Sequence, residues 1–309
     1  METPLSTRHS APSTPFKVHG ALFTVAVLFS ANYIISKFGM RAFAPLSFAW
    51  LRVLGSAILL NALPSPKEVL PNRKVALLAV LGVVTNQALF LAGLALSSAH
   101  VAAILITTIP VFTLAITIAT GRERATAAKI GGILLAAAGA LLVVWGEGIE
   151  GSYRDLLGAL MIVGNSLAYS FYLVISKPLM ATFSARRVLA RMFAIASVVM
   201  LPISAWSLAH ESWHAIPGAA WLSLFAVIAG PTVAAYLINL WTLRHADSSL
   251  VASYVYVQPV VTTFLAAIFL GERIRGIAIV AGVMICAGVW ISGPRGPRAS
   301  STQRANVES

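Results

Sequence analysis

The stretch "YIISK" closes an apolar run at Tyr33–Lys37, and a near-copy, "LVISK", closes another at Leu173–Lys177, 140 residues later. A lysine at the end of an oily segment is costly unless its ammonium reaches an interface. Two such ends ask whether the chain is doubled. Working outward, "GALFTVAVLFSANYIISK" (20–37) aligns with "GALMIVGNSLAYSFYLVISK" (158–177) after a two-residue insertion. Further along, an offset of 149 pairs Pro110 with Pro259, Thr113 with Thr262, Glu123 with Glu272, Arg124 with Arg273 and Gly139 with Gly288. An apolar chain matches itself by chance in Ala, Leu and Val, but not readily in Pro, Glu-Arg and Ser-Lys at one offset.

The composition sets the solvent. Of 309 residues, 58% are hydrophobic and 10% charged, with mean hydropathy +0.85, where a water-soluble domain carries roughly 25% charged residues. Apolar runs of about 20 residues recur along the length, the mark of transmembrane helices. The net charge of +12 is spread over short loops and forms no stripe for a nucleic acid. The single cysteine, Cys286, cannot pair within the chain. Residues 1–17 and 293–309, rich in Ser, Thr, Pro and Arg, are expected to be disordered tails. The first apolar run has no small-residue cleavage site and is expected to be a retained helix.

Ten helices are expected: Val18–Met40, Pro45–Leu63, Val75–Leu96, His100–Thr120, Ala127–Trp145, Leu156–Leu179, Val188–His210, Pro217–Leu243, Ser249–Leu270 and Gly276–Ser292. With both termini cytoplasmic, only Lys37, Arg41, Arg154, Arg273 and Arg275 of the 22 Lys and Arg fall in outer loops. Positive charge stays inside, so this orientation and an even helix count are favoured. Each repeat, 18–146 and 156–292, holds five helices. Five is odd, so the copies must lie in opposite orientation, an arrangement that places a substrate site at their interface near the midplane. The expected fold is therefore an all-α integral membrane protein of ten transmembrane helices in two inverted five-helix repeats.

The Ser-Lys end of helix 1, Arg52 in helix 2, "SSAHVAAILITTIPVF" (97–112), "SSLVASYVYVQPVVTTFLAAIFLGER" (248–273) and a Gly-rich helix after each carry a resemblance over residues 18–292. The sequence resembles the drug/metabolite transporter superfamily, EamA type. The first copy reads "GRER" at 121–124, one residue away from the "GER" of 271–273. The resemblance implies secondary transport of a small metabolite, often outward, through a central cavity. The expected setting is the plasma (inner) membrane, as monomer or homodimer, with no cofactor and no nucleic-acid partner.

Polar residues at helical spacing mark the faces that should turn inward, since lipid leaves them unsatisfied. Helix 6 presents Asn165, Tyr169, Tyr172 and Ser176; helix 1 presents Phe29, Asn32 and Ser36; helix 3 presents Asn86 and Phe90 with Gln87 beside them; helix 8 presents Thr232, Tyr236 and Asn239. Gln87/Tyr236, Phe90/Asn239 and Thr107/Tyr256 pair at the offset of 149. A cavity lined by Asn32, Arg52, Asn86, Gln87, Tyr169, Tyr172, Tyr236, Asn239 and Tyr256 is expected; the alternative is polar glue between helices. Arg52 lies two turns inside helix 2, and Arg191 is its counterpart in helix 7. Lys37 and Lys177 read as gates or as interfacial snorkelling, Pro110 and Pro259 as hinges or packing kinks. The glycines of helices 5 and 10 permit close helix approach.

One motif points elsewhere. "HESWH" at His210–His214 fits the H-E-x-x-H of zinc proteases, two His a helical turn apart with Glu211 as base. No third ligand is apparent, so no metal and no enzyme activity are expected, with a membrane metalloprotease kept as the alternative. All ten acids fall in tails, loops or helix ends. The cavity is therefore expected to be neutral to positive and to suit a neutral, zwitterionic or anionic solute, amino-acid-like in kind.

Overall fold

In a membrane every backbone N–H and C=O must be satisfied within the chain, which leaves a continuously apolar sequence the helix as its element. The computed structural model describes residues 15–62, 64, 68–121, 125–150, 152–245, 254–274 and 276–292. Every regular element among them is helical: α1 (Pro15–Gly39), α2 (Pro45–Ala62), α3 (Asn72–Ala79), α4 (Asn86–Leu96), α5 (Ala99–Ile106), α6 (Ile109–Ala119), α7 (Ala127–Glu150), α8 (Tyr153–Thr182), α9 (Ala185–Ala209), α10 (Gly218–Val227), α11 (Ala235–His245), α12 (Val257–Leu270) and α13 (Gly276–Ser292). The tail readings at 1–14 and 293–309, the "RER" of 122–124 and the start of the ninth expected helix lie outside the described residues.

Among the described residues, seven helical stretches are long and apolar enough to cross a membrane: Lys17–Gly39, Pro45–Ala62, Asn72–Leu96, Ala99–Ala119, Tyr153–Ser176, Arg186–Ala209 and Gly218–Asn239. Three shorter apolar helices stand at Ala127–Leu142, Val257–Leu270 and Gly276–Gly288. Val198, Leu222, Phe264 and Trp290 stand exposed on outer faces, the apolar surface that lipid covers.

Three of the expected helices are not regular. The third and eighth contain a turn of π-helix, at Val80–Thr85 and at Ile228–Ala234. The second has a chemical cause. Pro231 has no N–H for the Val227 carbonyl four residues back, and Thr232 Oγ1 donates to that carbonyl instead at 2.8 Å. The fourth is broken rather than kinked. Thr107 and Thr108 form a turn between α5 and α6, and Pro110 is the second residue of α6, where a missing N–H costs nothing. Pro259 is likewise the third residue of α12, after a 3₁₀ turn at Tyr254–Tyr256. The expected fifth helix, Ala127–Trp145, runs on to Glu150. A Ser152–Asp155 capping box then starts α8. Gly121 and Gly271 end α6 and α12 with φ of +68° and +65°, the left-handed closure that glycine takes without penalty.

The two halves meet through reciprocal contacts. α7 packs on α13. A Cβ on Gly139 would stand 2.9 Å from the Ala281 carbonyl oxygen, and one on Gly288 would stand 2.5 Å from that of Gly132. Gly139 pairs with Gly288 and Gly132 with Ala281 at the same offset of 149, so one contact repeats the other with partners exchanged. The break in the fourth helix is held by Ser170, whose Oγ donates to the Ile109 carbonyl at 3.0 Å. Ser30, the sequence counterpart of Ser170, donates to the carbonyl of Gln258, the counterpart of Ile109, at 3.4 Å. α2 packs on α9, α4 on α8, and α1 on α10, α11 and α12.

Candidate functional site

Arg52 sits on the stripe of α2 formed by Phe48, Ala49, Val53, Ser56 and Leu60, all buried. One turn on, Gly55 lets α2 approach the π turn so closely that a Cβ would stand 2.5 Å from Ile228 Cδ1. That approach carries Arg52, a residue 3% exposed, onto Thr232: Arg52 Nε donates to Thr232 Oγ1 at 2.9 Å. The one hydroxyl proton of Thr232 is committed to Val227, so Oγ1 must accept here. Arg52 Nη1 is buried with no hydrogen-bond partner, and no carboxylate among the described residues pairs with the guanidinium.

Tyrosines close in around this group. Tyr236 of α11 stands close to Arg52 and to Tyr169 of α8. The rings of Tyr169 and Tyr172 are 5.2 Å apart. Phe29 and Phe193 meet Tyr236 edge-on at 6.0 and 6.2 Å. Tyr172 lies against Gly82 of the first π turn, where a Cβ would come within 2.4 Å of its ring. Both π turns thus face the same tyrosine nest, consistent with the tendency of such turns to mark functional positions. One turn before Tyr169, Asn165 Oδ1 accepts from Asn86 Nδ2 at 2.6 Å. Gln87 beside it is buried with Oε1 unpartnered.

Of the residues expected to line a cavity, Arg52, Tyr169, Tyr172 and Tyr236 come together, with Asn86 joined to the same face of α8. Asn32 is buried on α1 and accepts from Ser36 at 3.2 Å. Asn239 is half-buried on α11. The side chains of Tyr256 and Lys177 lie outside the described residues. Arg191 does not repeat Arg52: it is exposed on α9, between the buried stripe residues Leu189, Ala190, Met192 and Phe193. Sequence reasoning left out Thr232, although it lay on the marked stripe. It also left out Phe193, for which an apolar segment gives no signal. A proline followed by threonine inside an apolar run, with its orphaned carbonyl, would have pointed to Thr232.

Lys37 has a different fate. Its Nζ donates to Glu272 Oε1 at 3.2 Å. Glu272 Oε1 also accepts from the Ala99 N–H at 2.8 Å, and Oε2 from the His100 N–H at 3.2 Å and His100 Nδ1 at 2.9 Å. A carboxylate only accepts, so Nδ1 carries the proton of that bond. The carboxylate lies at the N-terminus of α5, where the helix dipole favours negative charge. Burial alone would raise the Glu272 carboxyl; the His100 ring, the Ala99 N–H, Lys37 and the His100 N–H outweigh it and hold it down at about 2. One clasp thus joins the end of α1, the start of α5 and the loop after α12. Two other acids bridge elements in the same way. Glu68 accepts from the Ser184 N–H at the start of α9, and Glu211 from the Ala44 N–H at the start of α2.

That placement removes the protease reading. An H-E-x-x-H site needs helical spacing, but α9 ends at Ala209 and a 3₁₀ turn occupies Trp213–Ala215. His210 Nδ1 bonds the Trp206 carbonyl of its own helix, and Glu211 caps α2.

Comparison with known proteins agrees with this architecture. The EamA-like transporter family matches twice, over residues 17–145 and 156–293. The chain belongs to the EamA-like transporter family. An uncharacterized transporter of Archaeoglobus fulgidus is 26% identical over 287 residues, covering 89% of this chain and 97% of its own. The inner membrane transporter YedA of Escherichia coli K12, also described as uncharacterized, is 27% identical over 286 residues, covering 88% and 90%. A crystal structure at 18% identity, covering 90% of this chain and 98% of its own, superposes with a TM-score of 0.62, which shows a shared fold. The EamA-like chain is a multi-pass membrane transporter and not an enzyme.

Proposed function

We propose that this transporter moves a small organic metabolite, neutral, zwitterionic or anionic and amino-acid-like in size, by alternating access between two inverted five-helix repeats. The observation that carries the reading is the nest formed by the buried Arg52 and Tyr172 with the half-buried Tyr169 and Tyr236. It is built from helices of both sequence halves, as an inverted-repeat carrier builds its substrate site. The reciprocal contacts of α7 with α13, and of Ser170 and Ser30 with the broken helices, support the two-fold relation. Counting the three shorter apolar helices as spans gives ten, with both termini cytoplasmic by the distribution of Lys and Arg. The relation to YedA supports the inner membrane. The family likeness, which implies movement that is often outward, is the ground for export, and every group of the nest comes from one chain, so a monomer suffices.

Alternating access requires one face to be sealed while the other opens. The Lys37–Glu272–His100 clasp supports a seal at the end of α1, and the turns before Pro110 and Pro259 are where α6 and α12 can swing. The test is counterflow in liposomes holding the purified protein, with labelled amino acids and organic acids as probes. Uptake that is lost in Tyr172→Ala or Asn239→Ala, with normal expression and folding, supports the nest as the transport site. Full activity in both variants refutes it.

A further inference from the structure

Resting on that reading of the nest, we propose that Arg52 Nη1 receives the carboxylate of the substrate, so the preferred solute is an organic monoanion rather than a zwitterion. The guanidinium is almost wholly buried, its Nε is spent on Thr232, and Nη1 has no partner. A buried cation without a counter-charge is unfavourable, and a planar fork of N–H donors is matched by a carboxylate.

The charges around the nest decide between anion and zwitterion. The acids among the described residues with described side chains are Glu68, Asp155, Glu211 and Glu272. Glu68, Glu211 and Glu272 are each bound to the N-terminus of a helix, and Asp155 to Ser152. None faces Arg52. Arg191 is exposed, so the duplication does not double the charge. An α-amino acid would bring its ammonium in beside the carboxylate, close to the guanidinium. Among the described residues it would find only uncharged oxygens such as Gln87 Oε1 and the tyrosine hydroxyls. These can accept a hydrogen bond but supply no negative charge, and like charges beside a buried guanidinium repel. A carboxylate on an apolar body meets no such conflict: the head takes Nη1 and the body lies on the rings of Tyr169, Tyr172, Phe29 and Phe193.

The experiment measures binding by the unmodified, full-length protein in detergent, as stabilisation against heat and by calorimetry. Three bodies are used (propyl, phenyl and naphthyl), each as the acid, the primary amide and the α-amino acid. The acid of the best-fitting body should bind at least tenfold tighter than its amide and its amino acid. Arg52→Lys should weaken the acid at least tenfold and the amide, which loses one neutral hydrogen bond, by clearly less. Equal binding of acid and amide overturns the proposal, as does tighter binding of the amino acid, or an absence of binding by every acid. The acid–amide comparison needs no variant, so a misfolded Arg52→Lys protein does not rescue it. If Tyr169→Ala weakens all three classes while Arg52→Lys weakens none, the carboxylate assignment fails and the nest survives as the transport site. If neither variant changes any binding, both readings fail. An acid preference seen in phosphatidylcholine nanodiscs but lost in phosphatidylglycerol would give Nη1 to a lipid phosphate and also overturn the proposal.

Discussion

Glu272→Gln tests whether the clasp carries stability. The carboxyl is held down from 4.5 to about 2, which corresponds to about 3 kcal/mol of preference for the charged form in the folded protein. The side chain is 13% exposed and Lys37 22%, so water screens the lysine more than the helix N–H groups. Glutamine keeps the shape and can still accept one N–H, but it loses the charge on two backbone donors, the imidazole and the lysine. A loss of about 1.5–3 kcal/mol follows, since hydrogen bonds to charged groups contribute about that range. Lys37→Met, which removes only the more exposed partner, should cost at most about 1 kcal/mol. The assay is unfolding by SDS in mixed micelles at pH 7. Its pH dependence has a fixed sign. The folded value lies below the unfolded one, so the stabilisation is complete above about pH 4.5 and is lost as pH falls toward about 2. The parent should lose stability over that window, and Glu272→Gln should show that much less of the loss. Identical SDS midpoints for parent and variant at pH 7, or identical acid titrations, would refute the reasoning.

Gly288→Leu should prevent α13 from seating on α7 and destabilise the protein by at least about 2 kcal/mol, in the range of overpacked cores; Gly131→Leu, with open space around it, should be near neutral in the same SDS titration. Gly82→Ala should displace the Tyr172 ring and weaken solute binding at least fivefold while leaving the SDS midpoint within about 1 kcal/mol, read by calorimetry with the best-bound probe. Cysteines introduced at Gly121 and Leu270 should label from the cytoplasmic and periplasmic faces respectively; labelling of both from one face would defeat the inverted topology.

Much of this architecture is visible in the sequence because a duplication tests itself. Ser-Lys, Pro and Gly recur at fixed offsets, and the structure makes the same contact twice, as with Ser170 on Ile109 and Ser30 on Gln258. What the sequence concealed follows from groups whose partners lie across the fold. The π turn at Ile228–Ala234 depends on where the orphaned Val227 carbonyl finds a donor, which periodicity does not report. Glu272 reads as a loop acid until α5 presents two N–H groups to it.

The instructive failure is the symmetry of Arg52 and Arg191. Position along the helix makes them equivalents, each about two turns from a helix start, but rotation about the helix does not. Arg52 falls in line with the buried Phe48, Ala49 and Ser56. Arg191 falls between Ala190 and Met192, on the turn that faces away from Leu189, Phe193 and Ala196. A helix with 3.6 residues per turn separates the two at a glance once the buried stripe is known. The consequence is functional. A two-fold repeat that kept both arginines inside would face its solute with paired positive charges, and one that kept neither would have no anchor for an anion. Breaking the symmetry at this one pair leaves one of the two guanidiniums inside, held by Thr232 of the second π turn and close to Tyr236. The duplicated helices supply the scaffold, and under the proposed function the residue that departs from duplication supplies the charge that selects the solute.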